Sequence, residues 1–242
     1  MGIYLNPGAD AYRSAIQSEI YIDKSGLLAY LNRMFGTEQR YLCISRPRRF
    51  GKSMAANMIS AYYDRTTDAA ELFQRMEIAG DTHFAEHANR YDVVAINVQK
   101  FLSETECMDA LLQLLKRSVL WDLLEEYPDF RYFDETNLAR TMADIYQKTK
   151  RQFVVIIDEW DCVFREYKDQ TEEQRKYLDF LRDWLKDSSY VGLAYMTGIL
   201  PIKKYGTHSA LNMFDEFSMT NARELSQYAG FTTAEVRQLC QR

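Results

Sequence analysis

The sequence predicts an α/β fold of three layers, with helices covering both faces of a mainly parallel sheet. Three observations point there. Short apolar runs recur at 41–45, 93–98, 153–157 and 191–196, with a weaker fifth at 216–219. The four main runs are nearly continuous rather than alternating, as in strands covered on both faces. Longer stretches with helical apolar spacing lie between them, and strands alternating with helices form parallel sheets with right-handed crossovers.

Each element has its own local signal. The run at 41–45 leads into a helical pattern with Met54, Ala55, Met58, Ile59 and Tyr62. Ser103-x-x-Glu106 reads as a capping box before Met108, Leu111, Leu112, Leu115, Val119 and Leu123 at helical spacing. Asn137 is expected to cap a helix carrying Leu138, Met142 and Ile145 on one face. Thr171-x-x-Gln174 opens another, with Leu178, Leu181 and Leu185 as its stripe.

Composition narrows the class. A chain of 242 residues can bury one large core, and 47% hydrophobic with 27% charged residues excludes disorder, collagen and coiled coil. The net charge of −5 argues against a surface that grips nucleic acid everywhere, and leaves room for a local basic patch. Cysteines at 43, 107, 162 and 240 are too scattered for a zinc motif or a disulfide framework. No apolar run suits a signal peptide or a bilayer span, so a soluble, cytoplasmic domain without a membrane partner is expected. Residues 1–220 read as one core, with 1–39 an N-terminal segment leading into it.

The decisive segment is Ser45-Arg46-Pro47-Arg48-Arg49-Phe50-Gly51-Lys52-Ser53, placed between a strand and a helix. That context is what a phosphate-binding P-loop requires, because backbone N–H groups and the helix N-terminus surround the anion. Arg46, Pro47, Arg48, Arg49, Phe50, Gly51, Lys52, Ser53 and Met54 are the candidate nucleotide-binding residues. Gly51 permits close backbone approach, Lys52 reaches the outer phosphates, and the Ser53 hydroxyl ligates Mg²⁺. The general pattern G-x-x-x-x-G-K-[ST] has glycine where this chain has Arg46. Either Arg46 takes a left-handed conformation at a cost of roughly 1–2 kcal/mol, or the loop enters by another path.

A second motif completes the site. The apolar run at 153–157 ends in Asp158-Glu159, which delivers Asp158 to the C-terminal edge of the sheet as a metal-holding carboxylate. Glu159 beside it is a candidate to polarise water for attack on a terminal phosphate. The run at 191–196 ends in Thr197-Gly198, and Thr197 is the candidate sensor of that phosphate. Glu159, Lys52 and Thr197 are thus the catalytic candidates, and Ser53 and Asp158 the metal ligands.

With these motifs the chain resembles the bacterial AAA-ATPase-like family, whose members often precede a PD-(D/E)XK nuclease-type domain. The likeness runs through Tyr21-Ile22-Asp23-Lys24-Ser25, the RPRRFGKS string from Arg46 to Ser53, Ile157-Asp158-Glu159-Trp160-Asp161, Thr197-Gly198-Ile199 and Gly230-Phe231-Thr232. Arg46 belongs to that family pattern. The resemblance implies a P-loop NTPase sheet ordered 5-1-4-3-2, ATP or ADP with Mg²⁺, and a helical lid. It also implies, by association, a nuclease-type partner domain, and leaves homo-oligomers and nucleic-acid contact open. Thr232-x-x-Glu235 is a capping box that begins the lid, so 221–242 is expected to be the start of a truncated one.

Other residues compete for attention. His83 and His87 share i, i+4 spacing, but no third metal ligand stands near them. Lys24 has two readings, near the nucleotide or solvated. Lys203 and Lys204 follow the sensor turn, and Arg165 and Arg223 are candidate arginine fingers. The expected function is an Mg²⁺-dependent ATPase acting as a nucleotide switch. The alternatives are an ATP-gated interaction module without turnover and a P-loop kinase, which the Asp158-Glu159 pair disfavours.

Overall fold

The computed structural model describes residues 2–241 apart from Ala69, residues 203–210, Thr220 and Ala222. Lys203 and Lys204 lie outside the described residues, as does the side chain of Arg223. Among the described residues one all-parallel sheet contains β1 (Tyr41–Ser45), β2 (Asp92–Asn97), β3 (Phe153–Asp158), β4 (Val191–Gly198) and β5 (Asp215–Phe217). Their spatial order is β2-β3-β4-β1-β5. Read from the other edge it is 5-1-4-3-2, the order that the resemblance implies. Every residue of β1, β3 and β4 is buried, which is why those runs are continuously apolar.

Helices α1 (Asp10–Ile16) and α2 (Gly26–Met34) precede the sheet, and α3 (Lys52–Tyr63) follows β1. The short α4 (Ala70–Phe73) and α5 (Phe84–His87) come before β2. Between β2 and β3 lie α6 (Val98–Ser103), α7 (Met108–Glu126) and α8 (Leu138–Thr149). The β3–β4 connection holds α9 (Cys162–Glu166) and α10 (Thr171–Leu185), and α11 (Thr233–Leu239) follows β5. Successive strand residues feed opposite layers, because side chains alternate across the pleat. Val154 and Ile156 join α2 and α3 on one face, while Val155 and Ile157 join α7, α8 and α10 on the other. Among the described residues no helix is long and apolar enough to cross a membrane.

Two of the expected helix starts differ. Ser103 ends α6 and its hydroxyl donates to the Lys100 carbonyl at 2.7 Å, while α7 starts at Met108 after an extended Cys107. The reason is burial: Phe101 and Leu102 pack into the core and form their own short helix. Thr171 is the first helical residue of α10, and the Gln174 carboxamide donates to the Tyr167 carbonyl at 2.6 Å instead of to a cap. Asn137 does cap α8, accepting from the Arg140 amide at 3.0 Å. Both bonds of the Thr232–Glu235 box are present.

The N-terminal segment is stitched along β2, an edge strand of the sheet. Leu5 bridges Val94 in antiparallel sense. The buried Asp92 carboxylate accepts from Asn6 Nδ2 (2.9 Å), Tyr127 Oη (2.6 Å), Arg65 Nε (2.6 Å) and Arg151 Nη1 (3.2 Å). Burial alone would raise its pKa, but the hydrogen bonds from Tyr127 and Asn6 and the charge of Arg65 hold it below the usual carboxylate range. His83 and His87 are similarly accounted for: His83 pairs with Glu86, and the buried His87 bonds to Tyr91 Oη and stacks on its ring. No group of three or more His, Cys, Asp or Glu among the described residues is arranged to hold a metal ion.

Candidate functional site

The C-terminal ends of β1, β2, β3 and β4 bring one polar cluster together inside an otherwise apolar core. The last residues of β2 and β3 are register partners, Asn97 opposite Asp158. Asp158 is buried, and its Oδ2 accepts from Ser53 Oγ at 2.6 Å and, more weakly, from Asn97 Nδ2 at 3.4 Å. Its Oδ1 accepts from the Thr197 hydroxyl and from the Glu159 backbone amide at 3.0 Å. All these donors are neutral, and among the described residues no salt bridge reaches Asp158. The oxygens of Ser53 and Asp158 meet at one point, the hard donor pair that suits Mg²⁺ with its remaining positions left to water or phosphate.

The P-loop resolves the question posed by Arg46. Its amide donates to the Gly198 carbonyl at 3.0 Å, continuing the β1–β4 ladder, and it is absent from the residues with positive φ. The left-handed positions are Arg49 (φ 69) and Gly51 (φ 75), so the loop takes the second of the two expected paths. The Arg46 guanidinium is buried and donates to the Ser45 carbonyl at 3.0 Å and the Phe217 carbonyl at 2.8 Å. Its side chain therefore fastens β5, while its main chain shapes the loop. A Cβ at Gly51 would meet nothing within 4 Å, so the protein's own demand for glycine there is the backbone conformation rather than crowding.

Lys52 is the first residue of α3 and is buried, with Nζ donating to the carbonyls of Arg46 (3.0 Å) and Pro47 (3.1 Å). Burial lowers its pKa, against the opposing pull of Glu159, Asp158 and Asp161. Pro47, Arg48 and Arg49 are exposed on the loop. Phe50 turns toward the C-terminal segment: its carbonyl accepts from the Gly230 amide at 3.0 Å. A Cβ at Gly230 would come 2.7 Å from the Phe50 ring, and φ is +80 there, so this closure requires glycine.

Beside the loop an apolar pocket of about 150 Å³ is lined by Tyr12, Tyr21, Phe50, Met54, Met58 and Phe231. Lys24 spans its edge, with Nζ donating to both Glu235 carboxylate oxygens (2.6 and 2.7 Å) and to the Gln227 carbonyl (2.6 Å). Lys24 is therefore a clasp between the N-terminal segment and α11, and Asp23 instead caps Ser25 and the Glu77 amide.

Glu159 follows β3 in a left-handed conformation (φ 55), and Arg165 Nη2 donates to its Oε2 at 2.6 Å. Arg165 Nε lies 3.6 Å from Asp161 Oδ2, so the candidate arginine finger is engaged within its own chain. Asp161 is fully buried and also accepts from the Leu200 amide at 3.0 Å.

Sequence reasoning missed Asn97 and the pairing role of Asp161. Asn97 had a usable signal: like Asp158 and Thr197, it is a polar residue at the C-terminal end of an apolar run. Among curated proteins no match to the chain is found. A family model described as "Predicted AAA-ATPase" matches residues 8–207, from the segment preceding α1 to beyond the tip of β4. The P-loop, the acidic end of β3 and the fourth strand inserted between them all lie within that span, and the chain belongs to the AAA-ATPase-like family.

Proposed function

We propose that the chain binds ATP with Mg²⁺ at this sheet edge and hydrolyses it, as a nucleotide switch for a C-terminal or partner domain. The observation that carries the reading is the 2.6 Å bond from Ser53 to Asp158, which unites two motifs far apart in sequence at the mouth of the P-loop. Bound Mg²⁺ would supply charge neutralisation to the β- and γ-phosphates. Lys52 exchanges its two loop carbonyls for phosphate oxygens. Ser53 and Asp158 hold the ion, with Asn97 and Thr197 fixing the carboxylate. Thr197 thereby couples the metal ligand to the terminal phosphate as its sensor.

Glu159 accepts a proton from water as the water oxygen bonds to the γ-phosphorus. The bond from that phosphorus to the bridging oxygen breaks, and ADP and phosphate leave. Arg49, Phe50, Gly51 and Met54 lead the nucleotide from the phosphate loop to the aromatic pocket, where Tyr21 and Phe231 offer ring surface to the base. The Lys24–Glu235 clasp carries that occupancy to α11.

The test separates binding from turnover. Lys52→Ala loses ATP binding in a calorimetric titration, whereas Glu159→Gln keeps binding and stops phosphate release. Full turnover in purified Glu159→Gln would sink the assigned role. One observation favours a second reading, an ATP-gated module with little turnover of its own: the Arg165–Glu159 pair occupies the carboxylate on which hydrolysis depends. Phosphate release by the isolated chain, measured against its ATP occupancy, decides between the two.

A further inference from the structure

Three cationic side chains from separate elements border an open bay of about 470 Å³ beside Glu159: Arg48 from the P-loop, Lys100 from α6 and Arg165 from α9. The Gln99 carboxamide adds a neutral donor at its rim, where Ser103 also lies. Arg165 is committed to Glu159 and Asp161. Arg48 and Lys100 are exposed, and among the described residues neither side chain has a hydrogen bond or ion pair. Arg165 is thus answered by two carboxylates, while the charges of Arg48 and Lys100 beside it stay unanswered until an anion enters. Two guanidinium forks beside an ammonium and a carboxamide match a tetrahedral oxyanion, whose oxygens accept several N–H bonds at once.

Resting on the ATPase reading above, we propose that this bay binds a phosphate oxyanion other than those held by the P-loop, and that its arrival draws Arg165 away from Glu159. The carboxylate released is the one that takes the proton of the attacking water, so occupation of the bay raises turnover. Free oligophosphate and the backbone of a nucleic-acid strand present the same chemistry, and the probes below distinguish them.

The binding measurement uses Lys52→Ala chain, in which the P-loop site is disabled, and no ATP. Fluorescein-labelled oligothymidylate is followed by anisotropy and inorganic tripolyphosphate by calorimetry. Binding of the oligonucleotide, displaced by tripolyphosphate, assigns a strand; binding of tripolyphosphate alone assigns a free oligophosphate. In either case Lys100→Ala weakens the probe by about tenfold, the scale of one lost charge-assisted contact, and adding Arg165→Ala weakens it further. The bay is ruled out if neither probe binds, if binding survives both substitutions, or if polyglutamate competes equally well.

The release step is read from turnover in the otherwise unaltered chain. The probe that binds raises phosphate release severalfold, Lys100→Ala keeps the basal rate and loses the response, and Arg165→Ala has a raised basal rate that no longer responds. A lowered basal rate in folded Arg165→Ala, or an undiminished response in Lys100→Ala, overturns it. Were the ATPase reading itself at fault, the ATP titration of the parent chain would be flat while the probe still bound.

Discussion

Two buried aspartates on neighbouring strands, Asp92 at the start of β2 and Asp158 at the end of β3, sit at opposite edges of the same sheet in opposite electrostatic surroundings. Asp92 is fully buried and holds two arginines, a tyrosine and an asparagine. Asp158 is nearly as buried, yet its donors are two hydroxyls, a carboxamide and a main-chain amide. A buried carboxylate is strongly disfavoured unless a positive charge or several donors answer it. The protein answers Asp92 with direct ion pairs to its own arginines and so builds a joint; at Asp158 the hydrogen-bond donors are neutral, and the charge of Lys52 acts on it without a direct bond, the ammonium being held by loop carbonyls. The difference separates a carboxylate fixed by ion pairs from one held by neutral donors, without reference to sequence motifs.

The largest expected effect lies at the joint. Asp92→Asn leaves Arg151 without its anion and Arg65 with Glu126 alone, and costs about 3 kcal/mol in urea unfolding. Asp158→Asn keeps a group that still accepts from hydroxyls free to rotate, and costs within about 1 kcal/mol. Equal losses at the two positions would erase the distinction. Next in size is the response to ligand. ATP with Mg²⁺ at a hundredfold excess over its dissociation constant stabilises the parent chain by about 2.7 kcal/mol, seen as a raised Tm. Asp158→Asn loses most of that gain and Asp92→Asn retains it.

Gly51→Ala probes the loop itself. Its left-handed backbone predicts a loss of about 1 kcal/mol in unfolding free energy, with no steric penalty from the protein, and weaker ATP binding in titration. The smallest effect is that of pH. The folded pKa of Asp92 lies below its unfolded value, so its contribution is complete above the unfolded value and is lost as pH falls through the folded one. Acid unfolding of the parent chain therefore gains a component below about pH 4 that Asp92→Asn lacks. At the other edge burial lowers the pKa of Lys52, so ATP affinity declines on the alkaline side before an ordinary lysine would titrate.

The four long strands, the P-loop and the acidic end of β3 were legible because each depends on contiguous residues. A buried parallel strand must be apolar throughout, and a phosphate loop must put glycine, lysine and serine at the start of a helix. The capping boxes were legible only in part. Thr232–Glu235 and Asn137 form their caps, but Ser103 and Thr171 have the right spacing in a place where neighbouring packing sets the helix start. Arg46 shows the same limit: its departure from the general P-loop was visible, whereas its partner, the Phe217 carbonyl, is remote in sequence.

The amino-acid order alone was enough for the layers, the loop between β1 and α3 and the acidic end of β3, because these follow from local periodicity and residue type. Folding in three dimensions was needed for everything that rests on charges meeting across the chain. Arg46 went to β5 and Arg165 to Glu159; Lys24 went to α11, and Asp92 took two arginines while Asp158 met neutral donors. Coulomb and hydrogen-bond energies fall off over a few ångströms, so such partners are set by which segments the hydrophobic core brings side by side.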